Sequence, residues 1–272
     1  MIKEGIYADL SSEQYHGDKN SLSRSALMDF KKNPRRYWAK HLKPDRPKEE
    51  TKPSWAFGSA FHTLILEPHL FEQHYFVMPE KVLKRDNEEL FNAHKEAEKE
   101  LAITTKEVLS QKDYQTLRAM QAELFCNDRA AKLIQGAIYE SSYFWQDAHS
   151  GLMVKSRPDI INGNIYVDLK TIDDASPHNF QREMALYGYH IQAAMLRDGH
   201  FELTGERIAA CINICVEKKY PYSVAIYIID EDAIEVGHCE YKQLLLDLKS
   251  CIVGNEFNDY EPLTLGLPKW AL

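Results

Sequence analysis

Residues 157–170, RPDIINGNIYVDLK, decide the fold. Two apolar, β-branched runs, Ile160-Ile161 and Ile165-Tyr166-Val167, flank Asn162-Gly163-Asn164, a strong hairpin signal. Side chains alternate along a strand, so Asp168 and Lys170 share one face while Leu169 turns to the core. The hairpin returns that face towards Asp159. Two carboxylates and one ammonium then converge at a strand end, as a divalent-metal phosphodiesterase requires. Oxygen ligands hold a hard cation such as Mg2+, and the lysine helps activate the attacking water or offsets charge in the transition state. Asp and Asn are also ordinary turn residues, and a terminal Lys is an ordinary strand-edge guard. The pattern gains its meaning from the rest of the chain.

The chain has 272 residues, enough for one large domain or two small ones with a sizeable core. Hydrophobic residues make up 44% and charged residues 27%, the balance of an ordinary water-soluble globular protein. The polar start carries no secretory apolar region, and no apolar run approaches the ~20 residues of a membrane span. A cytoplasmic protein without membrane contact is expected. Five scattered cysteines (Cys126, Cys211, Cys215, Cys239, Cys251) form no CxxC pair. They read as reduced, small core-type residues, with Cys211 and Cys215 on one strand face and neither disulfide, zinc nor iron–sulfur site.

Net charge is −8, which argues against indiscriminate polyanion binding over the whole surface. The charge is uneven. From Arg24 to Lys48 nine Lys/Arg, including Arg35 and Arg36, face two Asp, a local +7 that leaves −15 elsewhere. A basic patch on an acidic body fits a guided phosphate path, or a solvated helix face.

In chain order, Ser21 or Ser23 caps a basic helix over 24–41, with Leu27, Phe30, Tyr37 and Trp38 inward and Asn33-Pro34 as a break or restart. Residues 43–53 read as an exposed loop. SWAFGSAFHTLILEP (54–68) reads as an apolar helix. His62 there is a core histidine or a ligand, and Gly58 allows another backbone to approach one turn before it. Residues 80–125 read as helical embellishment. Successive antiparallel strands are expected over 138–146, 151–161 and 164–171. A helix then runs to about Arg197, ending before Gly199. Two strands (207–217, 222–230) and an amphipathic helix (231–252, with Leu244, Leu245 and Leu248 inward) complete a catalytic core of 138–252. The tail 261–272 reads as extended, with Trp270 docking on a neighbour. No internal repeat interrupts this single domain of 1–272.

These stretches together resemble the RecB-like branch of the PD-(D/E)xK nuclease superfamily, and within it the exonuclease VIII (RecE) C-terminal nuclease family of phage recombination systems. YHGDKNSLSRSALMDFKKNPRRYW resembles the family's N-terminal helix and GSAFHTLILEP its G-x-x-x-H motif. RPDIINGNIYVDLKT resembles the PD…DxKT core, and YHIQAAMLRDG the following Tyr-His-x-Gln helix. The resemblance implies an α/β restriction-endonuclease-like core, a central mixed sheet flanked by helices. It implies His62, Asp159 and Asp168 as metal ligands, with the Leu169 carbonyl, and Lys170 as the catalytic lysine. Gln192 would orient lysine, water or phosphate, and Tyr189 would touch the same phosphate. Relatives often carry a tyrosine where this chain has Leu196, so a second phosphate-contacting tyrosine is not carried over. Some relatives hold an iron–sulfur cluster; the absence of cysteine before residue 126 excludes it here.

The implied activity is Mg2+-dependent 5′→3′ degradation of one strand of linear double-stranded DNA, with Mn2+ as a substitute through the imidazole ligand. The 3′ overhang would pass to a single-strand annealing protein. A homo-oligomeric ring, trimer or tetramer, is likewise implied, with the basic 24–48 patch lining its channel. Arg24, Arg35, Arg36 and Arg157 are the DNA-binding candidates, Arg24 foremost for the 5′ phosphate. Beside two anionic carboxylates Lys170 reads as a charge stabiliser or water-orienting donor rather than a neutral base. Two rival readings stand beside this one. They are a RecB-like nuclease that acts on single strands or internal sites, and a non-catalytic DNA-end binding module.

Overall fold

Gly163 takes a positive φ of 58°, and there the chain reverses between the paired residues Asn162 and Ile165. Glycine is favoured at this position because a side chain would be strained by that φ. The computed structural model describes residues 2–46 and 53–267. The chain opens with β1 (Gly5–Tyr7), α1 (Ser12–Gly17), α2 (Arg24–Lys32) and α3 (Pro34–Tyr37), the last running into a π-helical turn, Trp38–Leu42. Next come α4 (Pro53–Leu66), α5 (Phe71–His74), β2 (Tyr75–Met78), α6 (Glu88–Leu101), β3 (Glu107–Ser110), α7 (Gln111–Cys126) and α8 (Asp128–Ile134). The remaining elements are β4 (Ile138–Tyr139), β5 (Ser142–Gln146), β6 (Met153–Ser156), β7 (Ile160–Asn162), β8 (Ile165–Ile172), α9 (Pro177–Tyr187), α10 (Tyr189–Thr204), β9 (Ala210–Glu217), β10 (Val224–Ile228) and α11 (Glu231–Gly254).

The architecture is α/β. A mixed five-stranded sheet, ordered β10-β9-β8-β7-β4, is parallel at β8–β9 and antiparallel elsewhere. Alternation along β8 divides the core in two. Val167 and Leu169 pack with Ile212, Ile214 and Val216 of β9 against α4 and α7. Tyr166, with Cys211, faces α2, α10 and α11. Asp168 and Lys170 follow Tyr166 onto that second face, in register with Asn213 and Cys215. Cys211 and Cys215 are both buried, on one face as expected. Cys126 and Cys239 are exposed, so the core-type reading fails for those two.

Several boundaries differ from the sequence reading. The run 138–146 is two strands: β4 joins the main sheet, while β5 joins β1 and β6 in a separate antiparallel sheet. Likewise 151–161 divides into β6 and β7, which lie in different sheets. The 80–125 segment holds a strand as well as helices, because β3 pairs in parallel with β2. The helix expected to stop before Gly199 is two helices, broken at Gly188 (φ 69°) and continuing through Gly199. Gly199 serves close packing: a Cβ there would lie 2.6 Å from the Trp145 ring. Asn33 does mark a restart, ending α2 and capping α3 through its side-chain oxygen, which accepts from the Arg36 amide at 2.9 Å. The loop read at 43–53 in large part, Lys48 and Trp270 lie outside the described residues.

Candidate active site

Both exchanges between the two sheets pass through one corner. The chain leaves the main sheet at Glu140-Ser141 and re-enters it at Arg157-Pro158-Asp159. The two crossings run side by side, for the Glu140 amide donates to the Asp159 carbonyl at 3.1 Å. Glu140 holds φ at 51°, an uncommon value for a residue with a side chain. Backbone strain of this kind persists only where its surroundings enforce it.

Asp159 is buried, and its Oδ2 accepts the Leu169 amide at 2.7 Å. The same oxygen lies 3.6 Å from Nδ1 of His62, presented by α4. His62, Glu140 and Asp159 each place a ligand atom within 4.8 Å of the others. One imidazole and two carboxylates form a donor set that fits a divalent cation such as Mg2+ or Mn2+. Burial and the neighbouring Asp159 charge push the Glu140 carboxyl up to about 8, against the pull of Arg157, whose Nε lies 2.9 Å from Oε2. Asp159 is raised as well: burial dominates and Asp168 adds to it, while His62 opposes. Carboxylates crowded in this way resist ionisation until a cation joins them.

Asp168 is 2% exposed and held from every side. Its Oδ1 accepts from the Tyr166 hydroxyl at 2.9 Å and the Gln192 amide at 2.8 Å. Its Oδ2 accepts from Asn213 at 3.0 Å and pairs with Lys170 Nζ at 2.5 Å. Burial alone would raise this carboxyl; the Lys170 ammonium and the hydrogen bonds outweigh it and lower the pKa. Of the expected ligands, His62 and Asp159 lie together in this cluster and Asp168 lies outside it. Among the described residues Glu140 completes the ligand cluster, Asp168 is engaged with Lys170 and three uncharged donors, and Leu169 offers its amide to Asp159.

Lys170 Nζ lies 4.8 Å from the Tyr189 ring centroid, and Arg24 lies 5.9 Å from the same ring. Arg24 also donates to Gln192 Oε1 at 3.3 Å and to the Tyr187 carbonyl at 2.6 Å. Arg24, Arg157, Gln192, His62, Glu140 and Asp159 all line one open cleft of about 450 Å3. Arg35 and Arg36 are elsewhere: Arg35 lies over Trp38 at 4.8 Å, and Arg36 pairs with Asp29 at 3.0 Å. Asp29, on α2, also gathers Lys40 and His41 from the π-helical turn, so part of the basic patch is neutralised from within. Nor does a second backbone approach Gly58, where a Cβ would meet only the Thr171 hydroxyl, at 3.5 Å. Leu196 is fully buried.

The sequence profile described as a PDDEXK-like domain of unknown function (DUF3799) matches residues 23–261. The chain belongs to this family. No curated protein matches it. Among solved structures, a presumptive exonuclease from Eubacterium rectale is 16% identical, with a TM-score of 0.63 over 94% of this chain and 96% of that one. A second, SSO0001, is 16% identical over 74% of this chain and 87% of that one, at a TM-score of 0.30 that carries no argument. The first likeness shows that nearly the whole chain shares the fold of that protein.

Pro158-Asp159 and Asp168-Leu169-Lys170, read from the sequence as a PD…DxK pattern, both lie within the matched residues 23–261. Glu140 is the residue that sequence reasoning missed. Its signal was a lone charge inside the apolar run IYESSYFW, where a continuous strand would have buried it without purpose.

Proposed function

We propose that this PDDEXK-like domain is a metal-dependent 5′→3′ exodeoxyribonuclease acting on linear double-stranded DNA. The observation that carries the reading is the Asp168–Lys170 pair on β8 at 2.5 Å, set beside the His62–Glu140–Asp159 cluster. A divalent cation held by that cluster, Mg2+ with Mn2+ as a substitute, would polarise the scissile phosphate and acidify a bound water. Every other part is supplied by side chains. Asp168 fixes the lysine ammonium, and Gln192, Tyr166 and Asn213 fix Asp168. Lys170 can then donate to the attacking water or to a phosphate oxygen without acting as a base. Arg24 and Arg157 give the cleft positive charge for the strand entering it.

End-directed action, the 5′→3′ direction, a ring-shaped homo-oligomer and hand-over of the 3′ overhang to a single-strand annealing protein follow from the RecE-like resemblance and belong to the same proposal. So does a cytoplasmic location; among the described residues no helix is long and apolar enough to cross a membrane. The test uses linear duplex labelled at either the 5′ or the 3′ end, beside closed circular DNA, with Mg2+. Loss of 5′ label with intact circles supports the proposal; nicking of circles or first loss of 3′ label overturns it.

A further inference from the structure

The end of α9 projects an apolar tip next to Arg24 and Tyr189. Leu186 is 64% exposed and Tyr187 46% exposed, at a helix terminus where solvent-facing apolar groups bring no stability. The tip is firmly mounted. Gly188 turns the chain at φ 69°, and a Cβ there would come within 2.8 Å of Met28 Sδ. Arg24 donates to the Tyr187 carbonyl at 2.6 Å and, with its other terminal nitrogen, to Gln192, which holds Asp168. The Tyr187 ring lies 5.8 Å from the Tyr189 ring, which stands 4.8 Å from Lys170 Nζ. Tyr189 is itself stacked on Phe180 at 6.0 Å, so its place is taken up by protein, whereas Tyr187 is exposed.

We propose that Tyr187 is a stacking platform for an unpaired nucleobase next to the scissile phosphate, and so a positioning residue for the strand being cut. The inference rests on the nuclease reading and adds a subsite to it. A rigid aromatic within two ring contacts of the lysine, with a guanidinium at its base, matches a nucleotide in both parts. The ring takes a base through its π-face, and Arg24 lies where the adjoining phosphate passes. Phosphate contacts alone would hold the strand but leave it free to slide, and a stacked base fixes its register.

The experiment uses an oligonucleotide duplex with a frayed 5′ end carrying 2-aminopurine at each of the first positions in turn. Binding is followed by its fluorescence in EDTA, where no cleavage occurs. Wild type is expected to quench the probe at one position, and Tyr187→Phe to do the same. Tyr187→Ala should lose that quench and bind the oligonucleotide about tenfold more weakly. Leu186→Ala, which removes the other exposed apolar side chain from the same tip, should keep it. With Mg2+, Tyr187→Ala should raise KM on the normal strand but match wild type on a strand abasic at the quenched position. Quench retained in Tyr187→Ala, equal loss in Leu186→Ala, or an equal defect on abasic and normal strands would overturn the proposal. Because the quench is read without metal, it stands or falls separately from cleavage. A quench dependent on Tyr187 in a protein that cuts nothing would sink the nuclease reading and leave the platform.

Discussion

Gln192 donates its side-chain amide to Asp168 Oδ1 at 2.8 Å. The glutamine thus acts on the carboxylate that holds the lysine, and its Oε1 is turned to Arg24 at 3.3 Å. A chain of contacts links Arg24, Gln192, Asp168 and Lys170 across α2, α10 and β8.

Gln192→Ala removes one hydrogen bond to a buried charge, worth about 1.5–3 kcal/mol. A fall of roughly 10- to 100-fold in kcat is expected, with little change in KM for DNA. Gln192→Glu should be worse, since it sets a second carboxylate against Asp168. Steady-state kinetics on a labelled duplex decide this; an unchanged kcat in both variants would show that Gln192 only lines the cleft.

Glu140 yields a pH prediction. Its carboxyl is raised from the ordinary 4.5 to about 8, first by burial and then by Asp159. The folded chain therefore holds a proton that the unfolded chain releases. Stability without metal should be greatest below about pH 4.5 as far as this group is concerned, fall as pH rises towards 8, and level off above it. Asp159, also raised, acts in the same direction. Thermal melts in EDTA across this range should show the fall, and Glu140→Gln should flatten it. A melt that rises steadily from pH 5 to 8 in both proteins would contradict the assignment.

The same residue makes a prediction for metal. Second carboxylates in such clusters raise affinity, and losing one typically weakens binding by about an order of magnitude. Calorimetric titration with Mn2+ should show Glu140→Gln binding roughly tenfold more weakly than wild type, with His62→Ala at least as weak. If Glu140→Gln binds Mn2+ as wild type does, the carboxylate belongs to Arg157 alone.

Packing between α10 and α11 gives a fourth. A Cβ at Gly237 would lie 2.5 Å from the His190 carbonyl oxygen, and one at Gly199 2.6 Å from the Trp145 ring. Overpacking of this kind costs about 1–3 kcal/mol. Gly237→Ala should lower the Tm more than Gly199→Ala, because a backbone carbonyl cannot swing aside as a ring can. Equal melting temperatures for wild type and Gly237→Ala would contradict the close approach.

Much of this was legible in the sequence because it lies on regular structure. Asn162-Gly163-Asn164 announced the hairpin, and strand alternation placed Asp168 and Lys170 together on the face away from Leu169. What escaped lies where the chain departs from regularity. Nothing in IYESSYFW marks the point at which one strand becomes two in different sheets, since Glu140 takes its positive φ from tertiary contacts rather than from a glycine. Gly188 and Gly199 have the same local character in sequence, yet one breaks a helix and the other admits the Trp145 ring. The basic patch was countable, but not that Asp29 would neutralise part of it. Apportioning the carboxylates between cation and lysine needed distances.

The central claim is that Lys170, fixed by Asp168, serves phosphodiester hydrolysis. The most direct measurement compares wild type, Lys170→Ala and wild type in EDTA on the same end-labelled linear duplex, with binding to that duplex followed in parallel. Wild type with Mg2+ should release label, while Lys170→Ala should bind the DNA and release less than a hundredth as much, as does wild type in EDTA. Release by Lys170→Ala at the wild-type rate would contradict the account, whatever the direction of cutting.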